Sequence, residues 1–168
     1  ALSQAATYND RKVKIEYVSS EHLTPDNVDE QLGHVNGVVI CPGFGSRGIE
    51  GKFVAAKYTR EHNIPTFGIC LGMQCMAIEF ARNVLGYADA NSIEMDEKTK
   101  HNVIDIMEEQ KAITNMGGTM RLGAYECVLK KDSKVYEAYK EEHIQERHRH
   151  RYEFNNDYRK QFEEAGMK

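Results

Sequence analysis

Gly68-Ile69-Cys70-Leu71-Gly72 places a cysteine between two glycines, the spacing of a nucleophile elbow with Cys in place of Ser. Residues 65–69 form a short apolar run that reads as a buried strand. From Leu71 onward Met73, Met76, Ala77, Phe80, Ala81 and Val84 recur at three- and four-residue steps, the period of a helix. Cys70 therefore sits where a strand ends and a helix begins. The helix N-terminus favours a thiolate there, and the free N–H of Leu71 points toward any oxyanion formed when Cys70 attacks a carbonyl. The bland alternative is an inert cysteine buried beside a strand, a common fate for this residue type. Two glycines and a change of period at the cysteine favour the nucleophile.

A second glycine-rich stretch, Pro42-Gly43-Phe44-Gly45-Ser46-Arg47-Gly48, follows the apolar run Gly37-Val38-Val39-Ile40, which has the continuous hydrophobicity of a buried parallel strand. Ligands of open parallel sheets bind at the C-terminal ends of the strands. An exposed loop amide at that end completes the oxyanion hole begun by Leu71. The rival is a phosphate cradle, since Gly43, Gly45 and Gly48 fit Gly-x-Gly-x-x-Gly loosely. A dinucleotide fold places that motif after its first strand, which disfavours the rival. Arg47 either meets an anion or is simply solvated; both readings stand at this level.

The supporting elements follow from pattern. Residues 1–8 read as a helix, and 12–18 alternate Val13, Ile15 and Tyr17 with charged residues as a strand does. Thr24-Pro25-Asp26 reads as an N-cap with proline at the first helical position, opening a helix to about Leu32. Further helices are expected over 50–61, 133–141 and 156–165, and strands over 35–41, 124–129 and 147–154, with 91–94 following the elbow helix by one loop. Strand–helix–strand–helix order makes a parallel α/β sheet the economical architecture.

The chain has 168 residues, enough for one domain with a sizeable core. Its formal charge of -4 disfavours a general nucleic-acid binder. The basic run Arg147-His148-Arg149-His150-Arg151 lacks interleaved aromatics, and RNA binding ranks last among the readings. That run offers phosphate contacts, a base for Cys70, or a solvated charged strand, the commonest fate of short charge runs. Cys41, Cys70, Cys75 and Cys127 show no Cys-x-x-Cys spacing, so thiols are expected and neither a disulfide framework nor a metal site. Neither a bilayer-spanning apolar stretch nor a signal-peptide pattern is present, and the expected location is the cytoplasm, with no membrane partner.

Gly68-Ile69-Cys70-Leu71-Gly72-Met73-Gln74 resembles the elbow of the class I, triad-type glutamine amidotransferases. The Pro42–Gly48 loop, Met116-Gly117-Gly118-Thr119-Met120-Arg121-Leu122-Gly123 and the basic run with Tyr152-Glu153 are similar to stretches of the CTP synthase family within that class. The resemblance covers essentially the whole chain. It implies a flavodoxin-like three-layer α/β fold with a mostly parallel central sheet flanked by helices. Residues 1–168 would be a glutaminase domain incomplete at both ends, its first strand, C-terminal strands and synthetase domain lying outside the sequence.

By the same resemblance, Cys70 attacks the side-chain amide of L-glutamine, ammonia leaves, and water releases glutamate. The ammonia serves a synthetase domain that aminates UTP to CTP with ATP and Mg2+. GTP is an allosteric activator, and the family is homotetrameric. No cofactor or metal is implied in this domain. The implied oxyanion-hole amides are Leu71 and Gly43. The implied glutamine contacts are Gly43, Phe44, Leu71, Gly72, Met73, Gln74, Glu94 and Arg151, and Arg47 is assigned to GTP on its loop and charge alone. The family has glycine where Pro42 stands. Its catalytic His and Glu lie in a His-Pro-Glu segment expected beyond Lys168, a position that His148 and His150 do not match. The competing readings are another cysteine hydrolase on this elbow and a non-catalytic regulatory module.

Overall fold

The computed structural model describes residues 1–106 and 121–167. The stretch 116–120 of the Gly-Gly-Thr-Met motif falls outside them. Two parallel strands sit at the centre of the functional half. β1 (Val38–Ile40) pairs with β2 (Thr66–Gly68) in the register Val38 to Thr66 and Ile40 to Gly68. The crossover between them is α3 (Ile49–Glu61), and β2 runs directly into α4 (Leu71–Asn83). Two shorter helices precede them, α1 (Leu2–Tyr8) and α2 (Val28–Leu32).

Helix α3 begins at Gly48, whose left-handed φ of 69° suits glycine. It ends before Asn63, itself left-handed at φ 53° and two residues before Pro65. Its apolar residues serve two cores. Ile49 and Phe53 join Leu71, Cys75 and Ile78 of α4, while Ala55, Ala56 and Tyr58 pack with Leu23, Val28 and Ile40. Because α4 is buried on nearly every side, its axis is fixed, and so is the elbow at its start.

A second sheet joins β3 (Asn91–Ser92), β4 (Asn102–Ile106) and β7 (Tyr152–Phe154), parallel on one side of β4 and antiparallel on the other. β5 (Arg121–Val128) and β6 (His143–His150) form a separate antiparallel ribbon around α5 (Lys134–Tyr139). A 3-10 turn (Asn156–Tyr158) and α6 (Arg159–Glu164) close the chain, with Phe162 buried against Phe80 and Phe154. The α/β class holds, with the described strands divided among three sheets.

Three sequence expectations change, and one strand, β4, had none. Residues 12–18 form no strand: Tyr17 is 93% exposed, and Val13 and Ile15 are 40% exposed each. Their alternation fits an edge strand, but a ladder needs an adjacent strand, and a cavity of about 200 Å³ separates Glu16 to Val18 from Val38 to Cys41. The helix expected from Thr24 starts at Val28, because Thr24 and Asn27 close a turn first: Thr24 N–H donates to Asn27 Oδ1 at 2.9 Å. The run 147–154 splits at Arg151 into β6 and β7, which join different sheets. β4, with fully buried Val103 and Ile104, has too short an apolar stretch among polar neighbours to stand out in sequence.

One buried ion pair ties the two central helices. The Glu79 carboxylate is 2% exposed and accepts from Arg60 Nε at 3.0 Å and Nη2 at 2.7 Å. Removing one partner strands the other charge in a low-dielectric site. Arg60→Met is therefore expected to destabilise the fold by about 3 kcal/mol. Double substitution with Glu79→Leu is expected to recover most of that loss, read by urea unfolding.

Candidate active site

Cys70 caps the N-terminus of α4 with φ 55° and ψ -112°, a backbone conformation that non-glycine residues rarely adopt. Such strain costs on the order of 1–3 kcal/mol and persists only where the surroundings enforce it. The surroundings do enforce it. A Cβ on Gly72 would lie 2.0 Å from the Ile40 carbonyl oxygen, and one on Gly68 would lie 2.6 Å from the Met73 nitrogen. Ile40 O also accepts the Ile69 N–H at 3.0 Å, so the end of β1 is pinned against both arms of the elbow. The flanking glycines are thus required by close backbone approach, and the turn they permit projects Cys70 from the sheet edge.

Leu71 contributes the first amide of α4, which has no intrahelical acceptor by position. Gly72 N–H is taken by Ile69 O at 2.9 Å and Gln74 N–H by Cys70 O at 3.1 Å. The glycine loop reaches the same place: a Cβ on Gly43 would stand 3.3 Å from Leu71 Cδ2 and 3.5 Å from Lys52 Nζ. Gly43 and Leu71 therefore lie side by side at the C-terminal edge of β1 and β2. Phe44 is 85% exposed beside them, and Met73 projects partly into solvent. Arg47 is engaged by Glu21 at 2.8 Å, an exposed pair worth little to stability.

The second sheet packs on the same helix, α4. Gln74 is buried on α4, and its Nε2 lies 3.5 Å from the Tyr152 carbonyl oxygen at the start of β7. Arg151 immediately precedes that strand. Glu94 follows β3, its N–H donating to the buried Ser92 Oγ at 3.2 Å. Burial and then the nearby Glu94 carboxylate push the Tyr152 phenol above its ordinary value, while Arg151 opposes them. Gln74 thus meets the backbone at the start of β7, one residue after Arg151.

The Glu94 carboxyl is itself raised above its ordinary value by desolvation, although the residue as a whole is exposed to solvent. Ionised Glu94 therefore costs folding stability. That cost is absent below the ordinary carboxylate pKa and sets in as pH rises through the raised folded value. Glu94→Gln is expected to flatten this part of the stability–pH profile, measured by thermal unfolding between pH 4 and pH 7, a range about the ordinary Glu value.

Among the described residues, no histidine hydrogen-bonds Cys70. His148 packs edge-on to Tyr125 and His150 with ring centroids 5.6 Å apart in each case, on the ribbon. Cys75 lies fully buried one turn beyond Cys70, its thiol pushed up to about 11 by desolvation, so it does not compete as a nucleophile. The sequence reading missed Tyr152 and Lys52. Lys52 did leave a signal, as a cation in the first turn of α3, directly before the buried Phe53.

A strained cysteine at a helix start, with the Leu71 and Gly43 backbones beside it, suits nucleophilic attack on a carbonyl carbon. A family model for glutamine amidotransferase class-I matches residues 1–168. The chain belongs to the class-I glutamine amidotransferases. Among curated relatives, this amidotransferase chain is 99% identical over 168 residues to a CTP synthase of Bacteroides fragilis. It is 79% identical to one of Bacteroides thetaiotaomicron and 59% identical over 167 residues to one of Porphyromonas gingivalis. It covers all of its own length in the first but 32% of that relative, so the chain spans about a third of the curated proteins it matches. Among solved structures it resembles the glutaminase domain of Trypanosoma brucei CTPS with bound acivicin. The TM-score is 0.86 at 40% identity, covering 95% of this chain and 61% of that one. The class I resemblance read from the elbow is borne out.

Proposed function

We propose that this amidotransferase chain is the glutaminase part of a CTP synthase. Cys70 Sγ attacks the side-chain carbonyl carbon of L-glutamine, and the C–N bond breaks as ammonia leaves with a proton. The γ-glutamyl thioester then takes up water, releasing glutamate and restoring the thiol. Leu71 and Gly43 amides hold the negative oxygen in both steps. The single observation that carries this reading is the strained Cys70 turn, locked by Ile40 against Gly72 and set beside Gly43.

Glu94 faces the substrate ammonium, which offsets the desolvation that raises its carboxyl. Gln74 and Met73 line the side-chain slot, with Phe44 and Gly72 at its mouth. Arg151, at the turn from β6 to β7, meets the substrate carboxylate. Arg47 stands ready to exchange Glu21 for a phosphate of GTP. We infer that Cys70 works with a general base that the described hydrogen bonds do not pair with it. Support for a longer polypeptide comes from the length of the relatives, of which the chain covers about a third.

In that polypeptide, ammonia passes to a synthetase domain that aminates UTP with ATP and Mg2+. The setting is cytoplasmic and the assembly a homotetramer; no described helix is long and apolar enough to cross a membrane. The test is glutamine-dependent against ammonia-dependent CTP formation by a full-length polypeptide carrying this chain. Glu94→Gln is expected to raise KM for glutamine about tenfold or more, the loss of one charge-assisted contact, and to leave the ammonia-dependent rate unchanged. Equal loss of both rates would contradict the assignment.

A further inference from the structure

The loop that presents Gly43 has few anchors of its own. It leaves β1 at Cys41, continues through Pro42, which has no N–H to donate, and carries Phe44 out into solvent. Gly45 adopts a left-handed φ of 69° with nothing within 4 Å of a Cβ placed on it. At the far end Ile49 N–H donates to Ser46 O at 3.4 Å, and Arg47 pairs with Glu21 at the surface. At the near end, Lys52 reaches across from the first turns of α3, and its Nζ donates to the Cys41 carbonyl oxygen at 2.5 Å. The same ammonium lies 3.5 Å from where a Gly43 Cβ would be.

We propose that Lys52 is a positioning residue for the oxyanion hole, fixing the Gly43 amide through the Cys41 carbonyl. The proposal rests on the glutaminase reading above. Lys52 sits on a helix whose neighbouring Gly51 is wedged against the backbone: a Cβ there would lie 1.8 Å from Ser20 O. The base of the lysine is therefore rigid, and its half-buried stem spans from α3 to the end of β1. A hydrogen bond from a charged donor is stronger than a neutral one. Oxyanion donors act only when aimed at the developing charge, so a loosened loop loses transition-state binding far more than it loses substrate binding, which Gly43 and Phe44 share with contacts outside the loop.

The test uses a full-length polypeptide carrying this chain and compares Lys52→Met, which keeps the stem, with Lys52→Arg, which keeps the donor. Lys52→Met is expected to lower glutaminase kcat about 10- to 100-fold, within the range for a weakened oxyanion donor. KM for glutamine and the rate of Cys70 alkylation by iodoacetamide, which needs no oxyanion hole, are expected to stay within about twofold. Lys52→Arg should restore kcat to within about threefold of the parent, since the charged donor is kept. A kcat within about twofold of the parent in Lys52→Met would overturn the proposal, as would an arginine variant no better than the methionine one. Alkylation falling in step with kcat would overturn it too, by placing the effect on the thiol. If Lys52→Met does not fold, Lys52→Gln is read against the same outcomes. A parent protein that releases no ammonia from glutamine would instead remove the premise.

Discussion

Gly72→Ala is expected to abolish the site and to destabilise the fold by about 3 kcal/mol or more. The added Cβ would lie 2.0 Å from the Ile40 carbonyl oxygen and 2.8 Å from its carbon. Both are backbone atoms, and Ile40 O is already bonded to Ile69 N–H. No side chain can swing aside to relieve the clash, so β1 and α4 must separate. That separation undoes the contacts that hold Cys70 at φ 55°. Gly86→Ala is the control. Its φ of 78° makes alanine unfavourable, but the position faces open space, so only the conformational cost of about 1 kcal/mol is expected. Urea unfolding separates the two, and thiol alkylation at Cys70 shows whether the elbow survives.

Cys70→Ser is expected to leave the fold intact and to reduce glutaminase kcat at least about 10⁴-fold in a full-length polypeptide carrying this chain. The oxygen is a weaker nucleophile than a thiolate and, at this helix start, has no described histidine to take its proton. KM for glutamine should change little, because the proposed glutamine contacts of Glu94, Arg151 and Gln74 are untouched. Ammonia-dependent CTP formation should be unaffected. Steady-state kinetics with each nitrogen donor tests all three expectations.

The elbow was legible because local chemistry decides it. A cysteine between two glycines, at a switch from a strand run to a helical period, leaves few backbone solutions, and the close approach of Ile40 explains why both glycines are needed. The glycine loop was legible for the same reason. The packing of the second sheet on α4 was not. Glu94 and Tyr152 arrive from β3 and β7, which meet only through β4, and β4 carries too weak a pattern to be placed from sequence. Residues 12–18 show the opposite failure. Their alternation is a sound strand pattern, but strand formation depends on a partner's backbone, which pattern alone does not supply. Lys52 lay in plain view on α3, yet its role depends on reaching a carbonyl eleven residues away across the sheet edge. That contact is tertiary.

The most direct test of the account is covalent labelling of a full-length polypeptide carrying this chain with 6-diazo-5-oxo-norleucine, a glutamine analogue that alkylates an activated cysteine, followed by intact mass and peptide mapping. A single adduct on Cys70, blocked by excess glutamine and lost in Cys70→Ala, is the predicted result. No adduct, or an adduct on Cys41 or Cys127 that glutamine does not block, would contradict the assignment of Cys70 as the glutaminase nucleophile.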